Sequence, residues 1–239
     1  MLGFGLSLTE RKSLIKKRLF RLILQAQEDF DRRNTEEMLS RLRYRGARIQ
    51  VPSSVRLTGA QYIEIGDDTV FQPYSRMDAV DYYIPTGQKF HPRLSIGARC
   101  SIEFNVHIGA CYSVEIGDDV MIAGRVYISD HVHNYADPAK PVSRQPLSEP
   151  GRIVIGSGSH IGEGVCIFPN VSLGEHVVVG ANAVVTKDIP AFCVAAGVPA
   201  RILRHYDFER RSWEAGAPMT YQALDVPESV YEGSAARND

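Results

Sequence analysis

Residues 151–189 read GRIVIGSGSHIGEGVCIFPNVSLGEHVVVGANAVVTKDI. Within this stretch Ile155, Ile161, Ile167, Leu173, Val179 and Val185 stand six residues apart without a slip. A period of six fits no helix face, which recurs at about 3.6, and is too long for the alternation of a single strand. Working outward, Ile96, Ile102 and Ile108 keep the same beat, as do Ile116, Ile122 and Ile128. Four residues after these aliphatic positions the residue is usually small or β-branched: Cys100, Val106, Val120, Val126, Ser159, Val165, Val171, Val177 and Ala183. Glycine often follows directly, as at Gly97, Gly109, Gly117, Gly156, Gly162, Gly174 and Gly180.

Such a fixed period predicts short strands joined by tight turns, with one aliphatic residue per repeat aimed into a prism. Three repeats make one coil, so Ile155 stacks on Leu173 and Ile161 on Val179. Each coil leaves an apolar end bare until the next covers it, so several are needed for stability. The expected fold class is therefore all-β: a parallel β-helix of hexapeptide repeats over residues 49–205, with an α-helical N-terminal extension over 1–48.

Three segments break the rhythm. Residues 7–43 carry apolar side chains at mixed spacings of three and four and read as helical. The basic, apolar run Lys12 to Leu24 suits either of two tasks, covering the open end of a solenoid or lying on a membrane surface. A second break, Gln72 to Leu94, reads as an excursion from the coil. The third, residues 129–153, is a long loop containing HVHNYADPAKPVSRQPLSEPG. Long loops on rigid scaffolds often carry function. Residues 206–239 read as an irregular tail, in which Trp213 serves packing.

Composition bounds the function. With 27 basic and 28 acidic residues the formal charge is −1, which gives no support for nucleic-acid binding. The 44% hydrophobic content suffices for a sizeable core. Cys100, Cys111, Cys166 and Cys193 show no CxxC or metal-finger spacing and read as free thiols of a reducing cytoplasm. No signal-peptide pattern opens the chain and no apolar stretch reaches the length of a membrane span, so a cytoplasmic location is expected.

The loop opens with Asp130-His131-Val132-His133-Asn134-Tyr135. Acyl transfer from a thioester to a hydroxyl needs a base, and histidine suits that task near neutral pH. By spacing alone, the two histidines read equally as surface residues or as half of a metal site.

The span from Ile96 to Tyr206 resembles the galactoside, maltose and polysaccharide O-acetyltransferases of the hexapeptide-repeat acyltransferase superfamily. The resemblance rests on the loop after Val126-Tyr127-Ile128. It rests still more on VGANAVVTKDIP (179–190) followed by AGVPARILR (196–204). It supplies the hand of the coil, left-handed, where the general rule for parallel crossovers favours right-handed ones. It implies an acetyl-CoA-dependent O-acetyltransferase acting on a sugar hydroxyl in cell-surface polysaccharide assembly, without a metal. It also implies a homotrimer with active sites between subunits.

Residue by residue, the resemblance implies His131 as general base, with His133 as runner-up, and the backbone N–H of Glu163 as oxyanion donor. Ala181 and Gly162 lie along the coenzyme arm, with His160 where relatives place a tryptophan. Thr186, Lys187, Arg201 and Arg204 approach the adenosine phosphates, a task that suits cations. Glu103, Asn105 and Tyr135 are the candidates for acceptor contact. Glu103 stands where relatives carry asparagine, and Asn105, two residues on, is expected on the same strand face. Competing readings are an antibiotic or nucleotide-sugar amine as acceptor, a scaffold without catalysis, and a zinc hydratase of the γ-carbonic anhydrase type. The outward-facing His107 and His160 raise this last possibility, but its accompanying motifs are absent.

Overall fold

In the computed structural model, residues 8–216 are described, with side chains from Lys16 onward. After one helix, α1 (Leu8–Ser40), the chain winds into a three-sided prism of parallel sheets. The first face stacks Tyr44–Arg45, Ile63–Ile65, Arg93–Ile96, Ser113–Ile116, Arg152–Ile155 and Val171–Leu173. The second begins with Val70–Phe71, Ser101–Ile102, Met121–Ile122, His160–Ile161 and Val178–Val179. The third runs from Arg56–Thr58 through Arg76–Ala79, His107–Ala110, Tyr127–Ser129 and Cys166–Ile167 to Val184–Val185.

The register is the one that the period of six requires. Ile155 pairs with Leu173, Ile161 with Val179 and Ile167 with Val185. All six are buried, as are the small or β-branched residues four positions later. Most corners are turned by a residue in the left-handed region, for example Asp119, Arg125, Gly158, Gly164, Asn170, His176 and Asn182. Most of these are not glycine, so each costs about 1 kcal/mol of local strain. At one corner exposed ion pairs stack coil upon coil, Arg48 on Asp68 and Arg99 on Asp119. The glycines after the aliphatic positions serve a different need. A Cβ on Gly156 would lie 2.5 Å from Glu175 N and Gly174 C, so the next coil's backbone occupies the space of a side chain.

Three expectations change at the ends. The stack begins at Tyr44–Arg45, inside the segment assigned to the helical extension, because this strand brings no aliphatic residue to mark the beat. The region from Tyr206 is not irregular as far as Ala215. Arg201–Asp207 and Ser212–Ala215 form an antiparallel ribbon that continues the second face through Cys193–Ala196. Trp213 packs edge-on to Tyr206 there, and the rest of the tail, 217–239, lies outside the described residues.

The basic run of α1 does not cover the coil. Among the described side chains, only the C-terminal end of the helix reaches it, with Leu39 buried and Glu36 paired to Arg45. The 33 residues of α1 span about 50 Å at 1.5 Å each, far more than one face is wide, so most of its length stands clear. Among the described residues no helix is long and apolar enough to cross a membrane.

Candidate active site

The breaks in the rhythm come together over the third face. Tyr82–Tyr83 and Gln88–Lys89 form a two-stranded hairpin, so the excursion is shorter than the Gln72 to Leu94 expected, and Arg76–Ala79 stays in the coil. Gln88 ties this hairpin to the long loop, accepting from Leu147 N at 2.7 Å and donating to Leu147 O at 3.2 Å. Tyr83 Oη lies 3.4 Å from His133 Nδ1. Between these walls and the third face is a cavity of about 350 Å³, lined by Arg76, Asp78, His107, Tyr127, His131 and His133 among others.

His131 stands at its edge, 17% exposed at the side chain, with Nδ1 2.8 Å from Asp130 Oδ1. Asp130 is fully buried. Its carboxylate also accepts from the main-chain N–H groups of Cys111, Tyr112 and Ser113 at 2.7–3.0 Å. Those three donors converge because the step from Ile108 to Ile116 is eight residues, two more than the beat, and the extra residues turn the backbone inward. A carboxylate at Nδ1 fixes the proton there and leaves Nε2, which has no hydrogen-bond partner among the described residues, free to accept a proton.

Below His131, the outward residues of the third face form a polar floor. Arg76 Nε lies 2.8 Å from Asp78 Oδ2, Arg76 donates to His107 Nδ1 at 2.9 Å, and His107 Nε2 is 3.3 Å from Asp78. Burial would raise the Asp78 pKa, but hydrogen bonds from His107 and Thr58 and the charges of Arg76 and Arg56 outweigh it and hold the carboxyl at about 2. The floor is thus a charged, hydrogen-bonded surface at neutral pH.

Cys111, Asp130 and His131 offer ligand atoms within 4.8 Å of one another. They fit a metal poorly, because the Asp130 oxygens are already taken up by three N–H groups and the imidazole. Burial, with the Asp130 charge adding to it, pushes the Cys111 thiol up to about 12, so it is neither a ready ligand nor a nucleophile. Burial likewise raises Cys100 and Cys193 to about 11.

The other expected residues fall in three places. Gly162, Glu163 and Ala181 stack at the corner between the second and third faces, where Gly162 N donates to Val179 O and Asn182 N donates to Glu163 O. The Glu163 N–H makes no hydrogen bond among the described residues, while its carboxylate pairs with Arg125. His160 opens a strand of the second face with Nδ1 buried and without a hydrogen-bond partner among the described residues. Lys187, Arg201 and Arg204 are exposed beyond this corner and form no ion pair among the described residues, unlike most arginines of the coil. Thr186 is exposed beside Lys187.

Glu103 and Asn105 do not share a strand face. Phe104 and Asn105 form the corner between them, with Asn105 in the left-handed region. Neither lines the cavity, and Tyr135 is 78% exposed on the loop. His107 and His160 were each expected at an outward corner, and each instead opens a strand, on two different faces. Sequence reasoning missed Asp130 as the partner of His131, although the two are adjacent, and it missed the floor residues Arg76 and Asp78. The alternation Arg76-Met77-Asp78-Ala79, polar outward and apolar inward, was the available signal.

A triangular coil of hexapeptide repeats with a carboxylate-held histidine at the mouth of its long loop defines a class, the hexapeptide-repeat transferases. Comparison with known proteins agrees. No protein-family model matches the chain. The chain is 33% identical over 184 residues to a putative lipopolysaccharide biosynthesis O-acetyltransferase, WbbJ, of Escherichia coli (strain K12), covering 74% of this chain and 88% of that one. It is 38% identical over 134 residues to galactoside O-acetyltransferase of the same organism, covering 53% of this chain and 63% of that one. The N-acyltransferase AntD of Bacillus cereus, solved with dTDP and 3-hydroxybutyryl-CoA, matches with a TM-score of 0.56 over 87% of this chain and 96% of that one. At 18% identity that likeness is one of fold, the left-handed β-helix. The chain belongs to the hexapeptide-repeat acetyltransferase family, and it is an acyltransferase.

Proposed function

We propose that this protein transfers an acetyl group from acetyl-CoA to a hydroxyl of a sugar, in the cytoplasm, during assembly of a cell-surface polysaccharide. The observation that carries this reading is His131, held through Nδ1 by the buried Asp130 with Nε2 free toward a polar cavity. In the mechanism, Nε2 takes the proton of the acceptor hydroxyl as its oxygen attacks the thioester carbonyl. The Asp130 carboxylate stabilises the imidazolium that forms, and the Glu163 N–H receives the developing oxyanion. The thiolate of coenzyme A then departs with the proton returned from His131. Neither a covalent enzyme intermediate nor a metal is required. The WbbJ relative, named for lipopolysaccharide biosynthesis, supports the polysaccharide setting.

The donor side rests on Lys187, Arg201 and Arg204, whose charges no carboxylate of the described chain neutralises and which suit a phosphate-bearing ligand. Gly162, Ala181 and His160 would line the coenzyme arm, and the unpartnered His160 Nδ1 fits a polar group brought by a ligand or a neighbouring subunit.

Within one chain, His131 follows the strand Tyr127–Ser129, whereas Glu163 precedes Cys166, the partner of Tyr127 in the same sheet. The base and the oxyanion donor therefore stand at opposite edges of the third face. A cyclic trimer, which brings one subunit's loop to the next subunit's corner, would unite them.

The test is coenzyme A release with purified protein, acetyl-CoA and a panel of sugars, nucleotide sugars and antibiotics. An acceptor-dependent rate that falls at least about a hundredfold in His131→Ala, and not in His133→Ala, supports the reading. Release that needs an amine or an antibiotic refutes the acceptor class. An unchanged rate in His131→Ala refutes the base.

A further inference from the structure

The part of α1 that stands clear of the coil is its most apolar part. Leu19, Phe20, Leu22, Ile23, Leu24 and Phe30 are all exposed, Phe20 by 62%. At about 100° per residue, Leu19, Leu22, Ile23 and Phe30 gather on one side with Phe20 and Leu24 flanking them, an apolar arc of about 200°. Lys17, Arg18 and Arg21 occupy the opposite side. Lys16 lies within the arc, where its long stem allows the ammonium to reach a polar boundary. From Arg11 to Gln27 the sequence holds six cations and no carboxylate, and acidic residues return at Glu28 and Asp29. Apolar area and positive charge thus occupy the same segment, away from the acidic segment that meets the coil.

We propose that the segment Lys16–Gln27 of α1 lies in the headgroup region of an anionic lipid bilayer and holds the catalytic coil beside a membrane surface. The physical case is charge complementarity joined to apolar width. A coiled-coil seam needs a narrower stripe, and neighbouring copies in a cyclic assembly would set these cations against one another. A bilayer interface accepts both the wide apolar face and the flanking lysines and arginines. Among the described residues the coil gives the helix no apolar partner beyond its last turns, which leaves the exposed face open to another partner.

The experiment is sedimentation of the full chain with vesicles of phosphatidylcholine alone and of phosphatidylcholine mixed with phosphatidylglycerol, beside light scattering of the protein without lipid. Binding to the mixed vesicles should be at least about tenfold stronger and should weaken as salt rises. Leu22→Glu with Ile23→Glu, and separately Lys17→Glu with Arg21→Glu, should abolish it while leaving molar mass and coenzyme A release unchanged. Equal binding to both vesicle types, or retained binding in the Leu22/Ile23 variant, overturns the proposal. So does a fall in molar mass in that variant, which would assign the apolar face to a second copy of the chain.

Discussion

Substituting Asp130 by asparagine separates the role of its charge from the role of its shape. The carboxylate accepts from three main-chain N–H groups, and its Oδ1 also faces His131 Nδ1. Asparagine keeps the outline but has only one acceptor oxygen. Three convergent donors hold that oxygen toward Cys111, Tyr112 and Ser113, so the amide NH₂ turns to His131. Nδ1 must then accept instead of donate, and the imidazole proton moves to Nε2, the nitrogen that has to be bare for catalysis. Both the tautomer and the stabilisation of the imidazolium are lost, which costs about 4 kcal/mol of transition-state stabilisation, or about 10³-fold in kcat. Folding loses less, about 1–3 kcal/mol, because the buried N–H groups keep an acceptor. The assay is acetyl-CoA-dependent thiol release, with denaturant unfolding to confirm the fold. His131→Ala and the double variant complete a cycle. If Asp130 acts through His131, the double variant is no slower than His131→Ala alone. A folded Asp130→Asn enzyme within about fivefold of the wild-type rate would refute the reasoning, as would rate losses that multiply across the cycle.

The Asp78 carboxyl, held at about 2 against an ordinary 3.8, stabilises the fold by about 2 kcal/mol at neutral pH. The folded pKa is the lower one, so this contribution is fully present above about pH 4 and is lost as pH falls through 2. Denaturant unfolding of wild type and Asp78→Asn should show a difference of about that size at pH 7, shrinking by roughly half at pH 3. Gly156→Ala places a Cβ 2.5 Å from two backbone atoms of the next coil, so a loss of about 3 kcal/mol and a lower Tm are expected by calorimetry. Lys187→Ala and Arg201→Ala should each raise the KM for acetyl-CoA about tenfold with kcat nearly unchanged, and steady-state kinetics checks this.

The coil was legible because each repeat commits one buried aliphatic position, and a period repeated over many turns leaves little room for another fold. Ile155, Ile161 and Ile167 met the partners that the count of eighteen gives them. What the period could not show lies where it lapses. Tyr44–Arg45 and the ribbon after Arg201 pair through main-chain hydrogen bonds, which leave no periodic mark on side chains. The functional surface was less legible for a related reason. His131 was picked out by the resemblance to the sugar O-acetyltransferases, since spacing alone left both histidines of the loop open. Its orienting group is fixed by three backbone N–H groups that only a two-residue insertion after Ile108 brings into line, and backbone donors carry no residue signature. His107 is 31 residues from Arg76 in sequence but beside the Arg76–Ala79 strand in the stack, so its meeting with Arg76 and Asp78 follows from register and not from spacing. The expectation for Asn105 failed on the same physics. Two residues apart means one face only along a strand, and the left-handed backbone at Asn105 turns a corner there. A long-period solenoid thus announces its core in sequence, while its site is written in the outward residues of neighbouring coils. Those residues can be read only after the aliphatic positions have fixed which strands lie side by side.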